Sequence, residues 1–388
     1  MLDFDFYNPT HILFGKDRIG EINKYVPLNS AVLIIYGGGS AKRNGLIDKV
    51  KTALGNRNVF EFGGIEANPH YETAMKAVEI VRNKNIDLLL AVGGGSVIDA
   101  TKFIALASYY KGDTIELLNY GFKLVPSDAI KKHVPFGTVL TLPAAGSEMN
   151  SGAVISHKDG KFPVLSELSF PKFSILDPTI TFTLPQVQVA NGVIDAFVHV
   201  IEQYITYPVG ALIQDRIAEG ILQTLIEVGK TSVTEKNNYN ARANHIWCAS
   251  LALCGIVGSG VPKDLATHMI GHELTAYFGI DHAQTLAVVL PSMLNVRRDK
   301  KREKLLQYAE RVLHIEKGTE KEKIDAAIQK TREFFESLGI KTRLSDYGVK
   351  VEDIPIIIEQ LKKHGMTALS ETHDLTPDIS QKILEEAM

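Results

Sequence analysis

Three short segments between Asp195 and His282 carry residues able to bind a metal: Asp195-Ala-Phe-Val-His199, His268-Met-Ile-Gly-His272 and Gly279-Ile-Asp-His282. Residues four apart on an α-helix share one face, so Asp195 and His199 can offer a carboxylate oxygen and an imidazole nitrogen to the same point. A second helix bearing His268, and a turn bearing His282, can add two more donors. One carboxylate with several imidazoles suits iron or zinc better than calcium or magnesium, which prefer oxygen shells. Any one of these histidines could equally cap a helix or sit half-buried. As a set they favour a metal, because Asp195 and His199 lie inside apolar text, VIDAFVHVIEQYI, where burying both unpaired is costly.

The first half of the chain carries a different chemistry. Ala31 to Tyr36 is a continuous apolar run of the kind buried in parallel sheets, and it breaks at Gly37-Gly38-Gly39-Ser40. Asp87 to Val92 repeats the pattern and breaks at Gly93-Gly94-Gly95-Ser96, leading into a helix from 97 to 107. A strand that ends in small residues and turns into a helix leaves N–H groups outward, where a phosphate can approach without a Cβ in the way. Neither run is G-x-G-x-x-G, so tight turns remain an alternative to a nucleotide site. Ser96 and Asp99 have the spacing of a capping box. The 36–43 segment, YGGGSAKR, offers no carboxylate for an adenosine ribose, but one aliphatic hydroxyl, Ser40, and two cations, Lys42 and Arg43. That composition favours NADP over NAD, although both cations also read as ordinary surface charge.

These segments need a frame to hold them. A chain of 388 residues with 45% hydrophobic content is enough for two domains. A further strand is expected at 58–62, with helices at 45–54 and 71–84, and these repeated strand, turn and helix units read as an α/β layer with a parallel sheet; 136–142 and 153–156 are further strand candidates. Beyond Thr183-Leu-Pro185 the text becomes helical, with segments at 187–204, 212–228, 242–257 and 302–313. The boundary is expected at 185, giving domains 1–184 and 185–388. The charge-rich stretches 300–304 and 316–323 read as solvated helix ends or faces. A formal charge of -3 gives no reason to expect nucleic acid or an anionic membrane as partner, and no apolar run is long enough to span a bilayer. Cys248 and Cys254 both sit in apolar text, as expected of buried thiols in the cytoplasm.

The combination of GGGS at 93–96, TLPAAGSEMNSGAVIS at 141–156, DAFVH at 195–199 and GHELTAYFGIDHAQTLAVVLP at 271–291 resembles the iron-dependent, or group III, alcohol dehydrogenases. Within them it is most similar to the butanol dehydrogenase and aldehyde reductase branch, over essentially the whole chain. The resemblance implies a Rossmann-like N-terminal dinucleotide-binding domain and an all-α metal-binding domain, a plan shared with dehydroquinate synthase. It implies Asp195, His199, His268 and His282 as metal ligands for Fe2+ or Zn2+, with His272 beside the substrate rather than on the metal. It assigns Gly37, Gly38, Gly39 and Ser40 to the adenosine end of the cofactor and Gly94, Gly95, Ser96 and Asp99 to the pyrophosphate turn. Asn68, Thr141, Asn150, Gly152 and Lys161 match further cofactor contacts. Phe182 departs from a tyrosine often found there, and glycine at 38, where NAD-preferring relatives commonly carry aspartate, supports NADP with NAD still possible. A homodimer is usual in that branch.

The expected activity is reversible hydride transfer between NAD(P)H and small aliphatic aldehydes or primary alcohols such as butanal and butanol. A divalent metal with one open position polarises the carbonyl, and His272, one helical turn from His268, is the expected proton relay or else a partner that orients a ligand. A synthase acting on a multiply charged substrate would want cations near the site. The helical-domain motifs instead carry Ala, Leu, Val, Tyr and Phe with no lysine or arginine, which favours a weakly polar substrate.

Overall fold

The computed structural model describes residues 1–388 apart from 127, 128, 131 and 159. The chain forms two compact units, one of Tyr7–Leu184 and one of Pro185–Met388 together with Met1–Phe6. Residues 1–6, which the sequence boundary groups with the first domain, therefore pack with the helical unit.

In the first unit the apolar runs become parallel strands: β1 (His11–Phe14), β2 (Ala31–Tyr36), β3 (Asn58–Phe62), β4 (Leu88–Gly93), β5 (Phe136–Leu140) and β8 (Phe173–Leu176), in the order β1-β8-β5-β4-β2-β3. The strand expected at 153–156 lies outside that sheet, in an antiparallel hairpin of β6 (Gly152–His157) and β7 (Gly160–Leu165). The strands expected from the sequence do not include β1, β7 or β8; in β7, Lys161 and Pro163 interrupt the apolar text. Among the described residues, the strands are connected by helices α1 (Ile22–Tyr25), α2 (Ser40–Arg43), α3 (Leu46–Leu54), α4 (Tyr71–Lys84) and α5 (Gly95–Ala107). One core joins Val32, Ile34, Leu90 and Val92 of the sheet to Ile22, Ile47, Val50 and Leu54 of the helices. The chain runs from β2 outward to β3 and then returns to β4 on the other side of β2. That reversal puts a topological switch point between β2 and β4, where open α/β sheets form a crevice at the carboxyl ends of the strands.

The second unit is helical: α6 (Gln186–Tyr204), α7 (Leu212–Thr234), α8 (Tyr239–Ala252), α9 (Ala266–Phe278), α10 (His282–Val296), α11 (Arg302–Arg311), α12 (Glu320–Ser337), α13 (Ile354–Lys363) and α14 (Pro377–Glu386). Helix α6 is buried over nearly its whole length from Val189 to Tyr204. Helix α8 stops at Ala252, short of the expected 257, and Gly255 just beyond it takes a left-handed φ of 102°. Two lysines expected in solvent are buried instead. Lys301 pairs with Asp264 at 2.7 Å and Glu371 at 2.9 Å, and its Nζ also donates to the Ile205 carbonyl that closes α6. Lys304 pairs with Asp215 at 2.5 Å. Local sequence showed only charge density; the acidic partners come from 37 to 89 residues away or, for Glu371, from 70 residues downstream.

Candidate metal centre and nucleotide turns

Helix α6 carries Asp195 and His199 one turn apart, and Glu202 follows on the same face. Asp195 Oδ1 lies 3.3 Å from His199 Nε2, 3.7 Å from His268 Nε2 and 3.8 Å from His282 Nε2. A tetrahedral shell with metal–ligand bonds of about 2.1 Å has edges of about 3.4 Å, so these separations suit donors sharing one small cation. Donor atoms of Asp195, His268 and His282 all lie within 4.8 Å of one another. The His199 ring stacks on His268 with centroids 4.1 Å apart. Asp195 Oδ1 and His268 Nε2 are buried without hydrogen-bond partners, a condition that a cation would relieve. Asp195, His268 and His282 therefore form a donor set that fits a divalent transition metal, whereas His199 Nε2 is near Asp195 Oδ1 at 3.3 Å but lies outside that mutually close group.

Two further features bring the helices to this point. His268 is the third residue of α9, and its otherwise orphaned backbone N–H donates to Glu202 Oε1 at 3.1 Å. The same carboxylate contacts His268 Nδ1, leaving Nε2 to face Asp195. Glu202 was not among the residues singled out by spacing, although a carboxylate seven residues after Asp195 in apolar text was a usable signal. A grouping of His199, Glu202 and His268 also lies within metal-binding reach. Both Glu202 oxygens are already turned to His268, so its carboxylate serves the imidazole. On the other side, Gly271 lets α9 approach α10: a Cβ there would stand 2.7 Å from Thr285 Oγ1. Gly279, at a left-handed φ of 69°, ends α9, and the turn through Asp281 sets His282 as the first residue of α10.

Electrostatics follow from burial and proximity. Burial alone would raise the Asp195 carboxyl, but His199, His268 and His282 outweigh it and hold it below the usual carboxylate range. Burial and the neighbouring His268 push His199 down to about 3, so it is a neutral lone-pair donor. Burial acts the same way on His268, but Glu202 and Asp195 overcome it and raise that imidazole to about 9. A cation arriving at His268 thus takes the place of a proton. His272 is half-buried, with its ring centroid 5.1 Å from His282 and 6.2 Å from His268.

The nucleotide candidates gather in the first unit. Gly37–Ser40 follow β2 and Gly94–Ser96 follow β4, so they flank the switch point, and Thr141 follows β5 with its N–H on the Gly93 carbonyl at 3.0 Å. Gly93 is required by packing, since a Cβ would stand 2.4 Å from Val97 Cγ2. Ser96 and Asp99 do not form a capping box. Helix α5 starts at Gly95, Ser96 Oγ instead accepts the Asn68 N–H at 3.3 Å, and Asp99 turns to Ser147 and Val154. Asn150 Oδ1 accepts from Lys102 and from the Gly152 N–H, and Lys161 stands on β7 near Asp99. A carboxylate does reach the neighbourhood of the first turn: Glu61 of β3 accepts from Tyr36 and from Lys42, both at 3.2 Å, and pairs with Lys51. Sequence proximity hid it, because it arrives on the adjacent strand. Arg43 remains at the turn itself, donating to the Gly38 carbonyl at 3.3 Å.

Residues 9–178 match the model of the iron-containing alcohol dehydrogenases, and residues 189–388 match the C-terminal domain of the same family. The chain belongs to the iron-containing alcohol dehydrogenase family. It is 55% identical to the NADPH-dependent aldehyde reductase YqhD of Escherichia coli, covering 100% of both chains. It is 39% identical to NADH-dependent butanol dehydrogenase A of Clostridium acetobutylicum, covering 99% of this chain and 98% of the other. Crystal structures of E. coli YqhD and of a Thermotoga maritima butanol dehydrogenase superpose with TM-scores of 0.96 and 0.92, at 54% and 32% identity, each covering 100% of this chain and 99% of the other. A Rossmann-like domain followed by a helical domain is the fold of these relatives and of this chain.

Proposed function

We propose that this chain is a metal-dependent, NADPH-linked oxidoreductase that reduces small aliphatic aldehydes such as butanal and, in reverse, oxidises the primary alcohols. The observation that carries this reading is the convergence of three imidazole Nε2 atoms on the buried, unpartnered Oδ1 of Asp195. Asp195, His199, His268 and His282 would hold Fe2+ or Zn2+, the choice depending on supply as well as affinity. When bound, the metal supplies Lewis acidity to a carbonyl oxygen and the nicotinamide supplies the hydride. The chain's own residues do the rest. Glu202 holds His268 by Nδ1 and by its backbone N–H, so Nε2 stays aimed at the cation position. His272, one turn beyond His268, is assigned the delivery of a proton to the product oxygen.

For the nucleotide, Gly94, Gly95 and Ser96 at the head of α5 are assigned the pyrophosphate, and Gly37 to Ser40 the adenosine ribose. Asn68, whose N–H donates to Ser96, and Thr141, whose N–H donates to the Gly93 carbonyl, are assigned to shaping or contacting that nucleotide together with Asp99, Asn150, Gly152 and Lys161. Arg43 and Ser40 favour a 2′-phosphate, and Lys42, already paired with Glu61, adds less. NADH remains a usable second cofactor.

The reading extends to a cytoplasmic homodimer. Two free, buried cysteines suit a reducing compartment, and Leu2, Phe4, Tyr207, Leu212 and Ile213 of the helical unit are exposed apolar side chains suited to a second copy. Among the described residues no helix is long and apolar enough to cross a membrane. Light scattering on the purified chain tests the dimer. The activity is tested by steady-state reduction of butanal and a panel of aldehydes with NADPH and NADH on metal-reconstituted protein. Bound metal and nucleotide with no turnover of any aldehyde would overturn the reading.

A further inference from the structure

Lys102 is a cation with no exposed surface. Its ammonium donates three hydrogen bonds, to Ser147 Oγ at 2.9 Å, Asn150 Oδ1 at 2.8 Å and the Gly152 carbonyl at 2.6 Å, which uses every N–H it has. One turn earlier on α5, Asp99 accepts from Ser147 Oγ at 2.6 Å and from the Val154 N–H at 2.9 Å. Asn150 is held from its other side as well, its amide donating to the Ala145 carbonyl at 3.3 Å. The segment from Ala145 to Val154 is therefore stapled to α5, the helix whose first turn carries Gly95 and Ser96.

Burying an ammonium is costly, and an apolar side chain of similar volume commonly serves a fold as well or better. Burial pushes the Lys102 ammonium down to about 8, against the pull of Asp99 and Glu148, so at neutral pH it keeps all three donors. What three convergent donors supply, and a methionine would not, is one defined placement of Ser147, Asn150 and Gly152 relative to the head of α5.

We propose that Lys102 is a positioning residue for the nucleotide, locking the segment of Ser147 to Gly152 against α5 so that the two walls of the cofactor cradle keep a fixed spacing. The inference rests on the nucleotide reading given above. Lys102 touches no cofactor itself; it acts through the residues it holds.

The test uses the full-length, metal-loaded chain and two variants, Lys102→Met and the milder Ser147→Ala, which removes one of the three acceptors and the Asp99 donor together. NADPH affinity is read by fluorescence titration without aldehyde, alongside kcat, both KM values and the melting temperature. Lys102→Met is expected to weaken NADPH binding roughly ten- to hundredfold, the scale of a misplacement of about 1 Å. Ser147→Ala should weaken it in the same direction by less. The KM for aldehyde should stay close to wild type in both, a split that a general loss of folding would not produce. Wild-type NADPH affinity in folded Lys102→Met overturns the proposal, and if that variant does not fold, wild-type affinity in Ser147→Ala does so. Failure of the wild-type chain to bind NADPH or NADH would instead remove the nucleotide reading beneath it.

Discussion

Replacing Glu202 by glutamine probes the carboxylate that stands behind His268. In the structure its two oxygens accept from two donors of one residue, the His268 backbone N–H at 3.1 Å and the ring Nδ1–H. A carboxamide of the same shape keeps one acceptor and turns an NH2 toward the other donor. One buried N–H is then left unpaired, at a cost of about 1–3 kcal/mol. Because that donor orients the imidazole whose Nε2 faces Asp195 Oδ1 at 3.7 Å, the loss should appear in metal binding. The expected weakening is roughly 10- to 100-fold, equivalent to about 1.4–2.7 kcal/mol. The assay is chelator competition for Zn2+ with the purified apo chain, with far-ultraviolet circular dichroism to confirm that the helices remain. Glu202→Ala should lose more, since it frees both donors and opens a cavity. Wild-type metal affinity in a folded Glu202→Gln chain would refute the argument.

Three other outcomes follow from particular contacts. Gly38→Asp meets no steric barrier, because a Cβ there has no heavy atom within 4 Å, and it sets a carboxylate at the turn assigned to the adenosine ribose. Repulsion between a carboxylate and a 2′-phosphate about 6 Å apart near a protein surface amounts to roughly 1–3 kcal/mol once screened by solvent. The ratio of kcat/KM for NADPH to that for NADH should fall about tenfold or more. Lys301→Met leaves Asp264 and Glu371 buried without their cation and should destabilise the fold by about 3–5 kcal/mol in urea unfolding. His245 is buried, and desolvation aided by Arg242 lowers its imidazole from 6.5 to about 4. It stays neutral in the fold but is protonated in the unfolded chain below its ordinary value. Its contribution is therefore complete above pH 6.5 and is lost as pH falls toward 4, by roughly 3 kcal/mol. His245→Gln should flatten the wild-type dependence of unfolding free energy over that window, and an unchanged slope would sink the assignment.

Much of the fold was legible because its determinants are local. β2 and β4 are apolar runs that stop at glycines, α6 starts just after Pro185 in text rich in apolar residues, and both follow from side-chain pattern and backbone freedom. Local pattern failed where a distant partner decided the outcome. Lys301 and Lys304 read as solvated charge, yet each is buried, because acidic groups from other helices complete a charge pair there. Ser96 and Asp99 have the right spacing for a capping box, but Asn68, Ser147 and Val154 offer them other hydrogen bonds.

The same division runs through the two sites. Residue type and helical spacing were enough to mark Asp195, His199, His268 and His282 as a possible metal set, since a carboxylate and imidazoles in apolar text need a shared partner. Spacing along one helix cannot say how near α9 and α10 come to α6. That depended on packing at Gly271 and on the carboxylate of Glu202 meeting the head of α9. Likewise the glycine runs announced two turns that could take a phosphate. Only the strand order put them side by side at a switch point, and only the pairing of β2 with β3 brought Glu61 to Lys42. Covalent order dictates which donors the chain owns, whereas their distances are set by packing between elements far apart in sequence.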